Sequence, residues 1–394
     1  MRVDAGAPSL RPLLHRPSRL RLDANGRRRY HRATDKPLPA PCDVCLGTSS
    51  NRFDSVRDAD WEDVSTIRDI AKRAGVSVST ASLALNGDAR VRHATRQRVL
   101  DAATLLDYHP MRAARSLSSG RTWSIHLLDP SLGANMSSGF FTRYLRGLHD
   151  AARDGGYTLT LTVPQDEDEA REVLKRLIAE RWSDGVVLMN PSEHDGLLQD
   201  VVAARFPHVL LGRSPVDGVS TVDNNNVAVG RDASEHLLAA GSKAPLLLNG
   251  PPSRTFTQDR ERGFRQACAE AGVRPSVAYV EGPPDDVRGV LAAHLDDGRV
   301  CDAIVTVADP NAVVAMRTLQ ERGLRVPDDV AIIGMNNDDL TQYTNPRLSS
   351  VELNAFELGR GAMELLLDTI DHANDGVVRQ RRVPHELVIR ESSA

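Results

Sequence analysis

Ile67, Ile70, Ala71 and Ala74 recur at i, i+3, i+4 and i+7, which predicts a short helix over residues 67–74 with one buried stripe. Thr66 and Asp69, three apart at its start, suit a capping box. Gly75-Val76 predicts a turn, because glycine accepts backbone angles that other residues avoid, and Val76 can plug the gap between two helices. Ser77 is placed to cap a second helix reaching about residue 85. A third helix, over residues 92–107, turns Val99, Ala102, Ala103 and Leu106 inward and is ended by Pro110. Residues 111–119 are helix-capable but too short to hold a helix alone in water.

From Trp123 the pattern changes. Apolar strand-like runs at 125–128, 158–163, 185–189 and 209–211 alternate with amphipathic helices such as 169–182, and a second series follows at 245–248, 277–280, 303–307 and 330–333. Continuous apolar strands between such helices imply parallel sheets covered on both faces, and two series imply two doubly wound lobes. In sheets of this kind ligands bind beyond the carboxyl ends of the strands, so the lobes are expected to close on a small molecule.

Two short helices joined by a tight turn make a helix-turn-helix, whose second helix fits the major groove of B-DNA. Val78, Ser79 and Leu83 would face the groove. Arg68, Lys72, Arg73, Arg90, Arg92, Arg96, Arg98, Arg112, Arg115 and Arg121 stand against Asp69, Asp88, Asp101 and Asp107, a local positive excess in a chain of net charge −4. Phosphate contact requires such asymmetry.

Elsewhere composition mainly excludes. The 394 residues, 41% hydrophobic, suffice for several cores. No apolar run approaches the ~20 residues that span a bilayer. The first thirty residues lack a signal peptide's apolar core, which predicts a cytoplasmic protein. Residues 1–63 have no clear period and read as a disordered or weakly ordered extension. Cys42 and Cys45 have the spacing of half a zinc site, or are an incidental pair, and no metal ligand set is assigned. The tail is either a basic arm that adds non-specific attraction to DNA or, since no Met lies between Met1 and Met111, a gene-calling artefact with the start at Val56 or Val64. Cys268 and Cys301 are expected to be buried thiols. No phosphate loop, paired catalytic carboxylates or nucleophile elbow appears, so neither an enzyme nor a cofactor is expected.

The runs TIRDIAKRAGVSVSTASLALNG, TRQRVLDAATLLDYHP, AARSLSSGRT, GFFTRYLRGLHDAARDGGY, DRERGF, GLRVPDDVAIIG and NPRLSSV together resemble the lactose-repressor/galactose-repressor (LacI) family of bacterial regulators from about Val64 onward. The resemblance implies an all-α helix-turn-helix head at residues 64–110, a hinge at 111–121, and a two-lobed α/β core like periplasmic binding proteins at 122–394. Thr66, Ser77, Val78, Ser79, Thr80, Ser82, Leu83 and Asn86 would contact operator DNA. Arg115 and Leu117 would join them from the hinge, Leu117 as a wedge between base steps in the minor groove. Met111 departs from the Asn usual after the Pro. Leu83 replaces a frequent Arg or His and can touch only a thymine methyl or nothing, which predicts an unusual operator.

For an effector, the resemblance implies Arg260 reaching from the second lobe and an aromatic at Phe140 or Phe141 offering a flat face to a sugar ring or base. Phe140 and Phe141 could equally be staples to the core. Asp309 lies where strand-end loops meet the cleft and could accept ligand hydroxyls or cap the following helix. Asn336 stands where the family commonly has Asp, so either the effector differs from a simple sugar or Asp338 takes over. The Asn224 to Asn226 run is assigned to an inter-lobe crossover. The same resemblance places Arg347 to Val351 and the helix from Phe356 on the way back to the first lobe, and the last strand, from Glu386, in the second. The function implied is a repressor, dimeric or tetrameric, controlled by a sugar-like effector. A solute receptor, or a sugar or nucleotide enzyme, sharing the two-lobed core is the alternative.

Overall fold

The computed structural model describes residues 65–108, 116, 119–131, 136, 138–372 and 377–394. The extension with Cys42 and Cys45, and the hinge residues Met111, Arg115 and Leu117, lie outside the described residues. The chain divides into two compact units, one ending at Tyr108 and the other beginning at His109.

In the first unit, α1 (Ile67–Ala74), α2 (Val78–Leu85) and α3 (His93–Leu105) surround Ile70, Ala71, Ala74, Ala81, Ala84, Val99, Ala102 and Ala103. The small alanines let three short helices meet without long side chains between them. The expected capping box stands at the start of α1: the Asp69 carboxylate accepts from the Thr66 amide (2.9 Å) and also from the Thr66 hydroxyl (2.6 Å). Those bonds hold the Asp69 carboxyl below its ordinary range. Gly75 takes the left-handed conformation at φ +65°, and Val76 packs against the core. Ser77 caps α2 by accepting from the Thr80 amide at 3.1 Å.

The second unit has two six-stranded sheets. The first contains β1 (Ser124–Leu128), β2 (Thr158–Thr162), β3 (Gly185–Met189), β4 (His208–Leu211), β5 (Thr221–Asp223) and β11 (Gln380–Arg382), in the order β11-β5-β4-β3-β1-β2 and parallel throughout. The second contains β6 (Pro245–Asn249), β7 (Ser276–Tyr279), β8 (Ala303–Thr306), β9 (Ala331–Met335), β10 (Ser349–Glu352) and β12 (Glu386–Val388), in the order β12-β10-β9-β8-β6-β7. Only β12 in that sheet runs antiparallel. On the first sheet α4 (Gly139–Asp154) packs beside α11 (Ala355–Asp371), with α5 (Glu167–Ala179) and α6 (Gly196–Ala203) completing the lobe. On the second, α7 (Asn226–Ala239) packs beside α8 (Thr255–Glu270), while α9 (Asp286–Asp296) lies against α10 (Asp309–Glu321). None of the described helices is long and apolar enough to cross a membrane.

One expected crossover is corrected. Residues 347–351 do not return to the first lobe, because β10 pairs in parallel with β9 and the Asn336 amide donates to the Val351 carbonyl. The return is made by α11, whose Leu358, Ala362, Met363 and Leu366 join the first lobe's core, as expected. The last strand does join the second sheet. β5 and β11 were not anticipated, since each is three residues long and Gln-Arg-Arg in β11 carries no apolar residue.

Candidate nucleic-acid interface and effector cleft

α2 turns Ala81 and Ala84 into the head's core. A 3.6-residue period then sets Ser79, Ser82, Leu83 and Asn86 on the opposite stripe, with Val78 and Thr80 at its edges. Val78 is 44% exposed, although a valine has no reason to face water on stability grounds alone. The helix VSTASLAL carries no ionisable side chain. The charge comes from around it: Arg68, Lys72, Arg73, Arg92 and Arg98 are exposed and make no hydrogen bond or ion pair among the described residues. Two other arginines shape the surface instead. Arg90 grips Asp88 with two nitrogens at 2.8 and 3.0 Å, and Arg96 donates to the Gly87 and Asp88 carbonyls, fixing the loop between α2 and α3. Thr66 and Ser77 stand at the two helix starts, each tied by its cap.

Three chain crossings join the lobes of the core, and a single side-chain amide holds them. Buried Asn224 donates to the carbonyls of Leu353 (3.1 Å) and Val383 (2.9 Å), so the crossover after β5 is bonded to the other two. This supports the expected placement of Asn224. Asn354, at φ +55°, adds a bond to the Pro384 carbonyl at 2.8 Å.

Beyond the carboxyl ends of the strands the two lobes touch. Arg254 donates to the Asn190 carbonyl, the Thr255 amide to Pro191 (3.0 Å), and the Glu193 amide to Ser253 (3.2 Å). Arg213, past β4, meets Asp259 of α8 at 3.0 Å. On the first lobe's side Asp129 is buried and accepts from the Ser131 amide and hydroxyl and from Asn190.

The five expected effector residues fare differently. Phe140 is half-buried, packs against the cores of both lobes, and stacks on Tyr144 with ring centroids 6.1 Å apart. Phe141 is 2% exposed among Ile125, Leu127 and Tyr144, and so acts as the staple to the core. Arg260 is buried over the Phe256 ring, with Nε donating to Asn226 (3.0 Å) and an Nη to the Val307 carbonyl (3.3 Å). Burial lowers its pKa to about 10. Asp309 is fully buried, and its oxygens are taken by the Ser350 hydroxyl (2.6 Å) and the Asp338 amide (2.7 Å). It therefore neither presents an oxygen to the cleft nor caps α10, which has no side-chain cap. Asn336 sits at φ +100° with its carbonyl held by Arg143 from the first lobe. Asp338 does not take over as an open acceptor: it is buried and bonds Arg143 at 3.2 Å.

Several buried polar groups were missed. The hydroxyls of Tyr144, Thr255 and Thr257 have no hydrogen-bond partner among the described residues, at a cost that a bound polar molecule or water would remove. Thr257 stands one turn before Arg260 on α8, the signal that could have drawn attention to it. Arg143, which reaches three successive residues after β9, gave no sequence signal beyond being a charge on a helix.

The family profile described as bacterial regulatory proteins, lacI family, matches residues 66–111, and a periplasmic binding protein-like domain profile matches residues 234–393. The ribose operon repressor of Halalkalibacterium halodurans is 31% identical over 84% of this chain and 97% of its own. Among solved structures, a transcriptional regulator CelR-cellobiose complex is 28% identical with a TM-score of 0.65, covering 83% of this chain and 99% of that one. The lac repressor dimer bound to operator and the anti-inducer ONPF, at 22% identity and a TM-score of 0.73, covers 84% and 99% and attests the fold.

Proposed function

The chain belongs to the LacI family of bacterial regulatory proteins, and we propose that it is a cytoplasmic, homodimeric repressor whose grip on operator DNA is set by a small molecule held between the core lobes. The observation that carries the DNA reading is the outward stripe of α2, Ser79, Leu83 and Asn86, ringed by arginines and a lysine whose side chains make no bond among the described residues. Cations around a neutral reading surface supply salt-dependent attraction, while the stripe supplies sequence preference. Thr66, Ser77, Val78, Thr80 and Ser82 frame it, and the family resemblance adds Arg115 and Leu117 of residues 111–121 as further DNA contacts.

Because Leu83 has no hydrogen-bonding group, it favours a thymine methyl at its base step and gives no bidentate grip on guanine. Selection from random duplex DNA should yield a pseudo-palindrome without a guanine requirement dependent on residue 83. Leu83→Arg should create such a requirement, worth about 1–3 kcal/mol in discrimination. Selection of the same half-site by both proteins would count against the reading.

For the effector we propose a polyhydroxylated molecule such as a saccharide, a class supported by the cellobiose bound to CelR and the ribose operon of the repressor relative. Phe140 and the free hydroxyls of Tyr144, Thr255 and Thr257 suit it, with Arg260 and Asn336 lining the second lobe's side. A thermal-shift screen of sugars and nucleosides tests this, since a ligand at 100 times its Kd stabilises by about 2.7 kcal/mol. Stabilisation by no sugar, together with stabilisation by a nucleoside, would replace the saccharide.

A further inference from the structure

Asp338 stands apart from the other inter-lobe contacts. It follows β9 in the second lobe, is 3% exposed, and places its carboxylate at the start of α4 in the first lobe. There Arg143 donates to it at 3.2 Å, and the nearby Gly139 amide favours its charged form. The partial positive charge of a helix N-terminus favours a carboxylate at that point. Its own backbone is pinned from behind, the amide by Asp309 at 2.7 Å and the carbonyl by the Thr341 amide and hydroxyl at 2.9 and 2.7 Å. Asp309 is fixed in turn by Ser350 at 2.6 Å. The side chain is thus presented on a rigid mount to the opposite lobe.

The fit depends on the absence of a side chain at residue 139. A Cβ there would overlap the Asp338 carboxylate, lying 2.7 Å from its Cγ. Arg143 reinforces the seat by donating also to the carbonyls of Asn336 and, at 3.4 Å, Asn337. Yet the seat is not fully satisfied. Asp338 Oδ2 and Arg143 Nε are buried without a hydrogen-bond partner among the described residues, beside a cavity of about 380 Å³ that Thr142 and Pro310 help to line. Pairing across the lobes is offset in part by burying an incompletely bonded carboxylate. A contact balanced in this way can be moved by a modest ligand or mutation.

We infer that Asp338, packed against Gly139 and paired with Arg143, is a positioning residue that latches the two core lobes together and sets the operator affinity of the closed form. The coupling half of this inference rests on the proposed regulatory function. The latch itself can be measured without DNA. Spin labels on full-length protein at Val163 of the first lobe and Val300 of the second, both exposed, would report the inter-lobe distance by pulsed electron resonance, with Cys42 and Cys45 changed to serine. Cys268 and Cys301 are buried.

Gly139→Ala should lengthen and broaden that distance, and Arg143→Ala, which keeps the backbone seat, should do so less. Gly289→Ala, where a Cβ meets nothing within 4 Å, should leave it unchanged. Affinity for a duplex selected by the unsubstituted protein, measured without effector, should change at least about fivefold in Gly139→Ala, the lower end of ordinary allosteric coupling. An unchanged distance in both Gly139→Ala and Arg143→Ala, even with a lowered melting temperature, would overturn the latch and leave a purely structural contact. A longer distance with unchanged duplex affinity would overturn the coupling. If the unsubstituted protein selects no duplex at all, the regulatory reading fails, and the distances still decide the latch.

Discussion

The two lobes of the core share one plan and use it differently where they face each other. Each sheet has the same winding, with the first strand of the lobe between its second and third, but the first sheet ends on a parallel, wholly exposed β11 and the second on the antiparallel β12. At the cleft the second lobe is bonded to itself: Asp309, Asn337 and Asp338 are fixed by Ser350, Glu352, Arg390 and Thr341. The first lobe offers the Phe140–Tyr144 stack and two arginines, Arg143 and Arg213, that reach across. The contrast predicts a second lobe that serves as a fixed template and a first lobe that moves against it, although Arg254 of the second lobe also reaches across to Asn190. Rigidity on one side lets a small displacement on the other be read as closure.

The sharpest way to break this contrast is through the glycines at which each lobe's helix pair crosses. In the second lobe a Cβ on Gly263 would overlap the Val227 carbonyl oxygen and lie 2.8 Å from the Arg231 amide nitrogen. In the first lobe a Cβ on Gly147 would overlap the Phe356 carbonyl oxygen and lie 2.7 Å from the Arg360 amide nitrogen. Alanine in a helix interior normally gains about 1 kcal/mol over glycine. Here Gly263→Ala should lose about 3 kcal/mol through overpacking, read as a lowered urea midpoint. Gly147→Ala should cost less if the first lobe yields more easily. Equal losses would mean that the two lobes are equally stiff.

Next in size is the joint between them. Asn224→Ala leaves the Leu353 and Val383 carbonyls without their side-chain donor, which should cost about 2 kcal/mol. Hydrogen exchange should rise at all three crossings rather than within either sheet. If exchange rises instead through one whole lobe, the joint belongs to that lobe's fold and the lobes are not separate bodies.

How much of this could be read in the sequence follows from range. The head was legible because its stripe, turn and cap lie within twenty residues: the period selects the buried Ile70, Ala71 and Ala74 of α1 and Val99, Ala102 and Ala103 of α3, though not Ala81 and Ala84 of α2. The strands legible in the sequence were those with short apolar runs, such as Val186 to Met189, or with alternating Thr and Leu, as in β2. β5 and β11 were not, because their place comes from pairing between residues such as Val222 and Arg381, about 160 positions apart. The cleft was least legible for the same reason. Asp309 looks like a ligand residue from its place after β8, and only the approach of Ser350 and the Asp338 amide shows that its oxygens are taken. Arg143 carries no local signal, because its partners stand nearly 200 residues on.

The same buried Asp309 gives a test of the template's rigidity that needs only pH. Burial raises its pKa to about 7, against an ordinary value of 3.8, with the Ser350 hydroxyl and the Asp338 amide opposing the rise and the Asp338 carboxylate adding to it. Between those values the folded state holds a proton that the unfolded chain has released. Its contribution to stability is therefore complete below about pH 4 and lost as pH rises through 7. Asp309→Asn has no such proton to lose. The stability of the Asn variant relative to the unsubstituted protein should therefore increase between pH 5 and 8 by on the order of 1 kcal/mol and then level off, as read from paired urea midpoints. A difference that stays flat over that range would mean that Asp309 is already ionised when folded. The Ser350 hydroxyl and the Asp338 amide would then outweigh burial, and the template would hold a charge there in place of a proton.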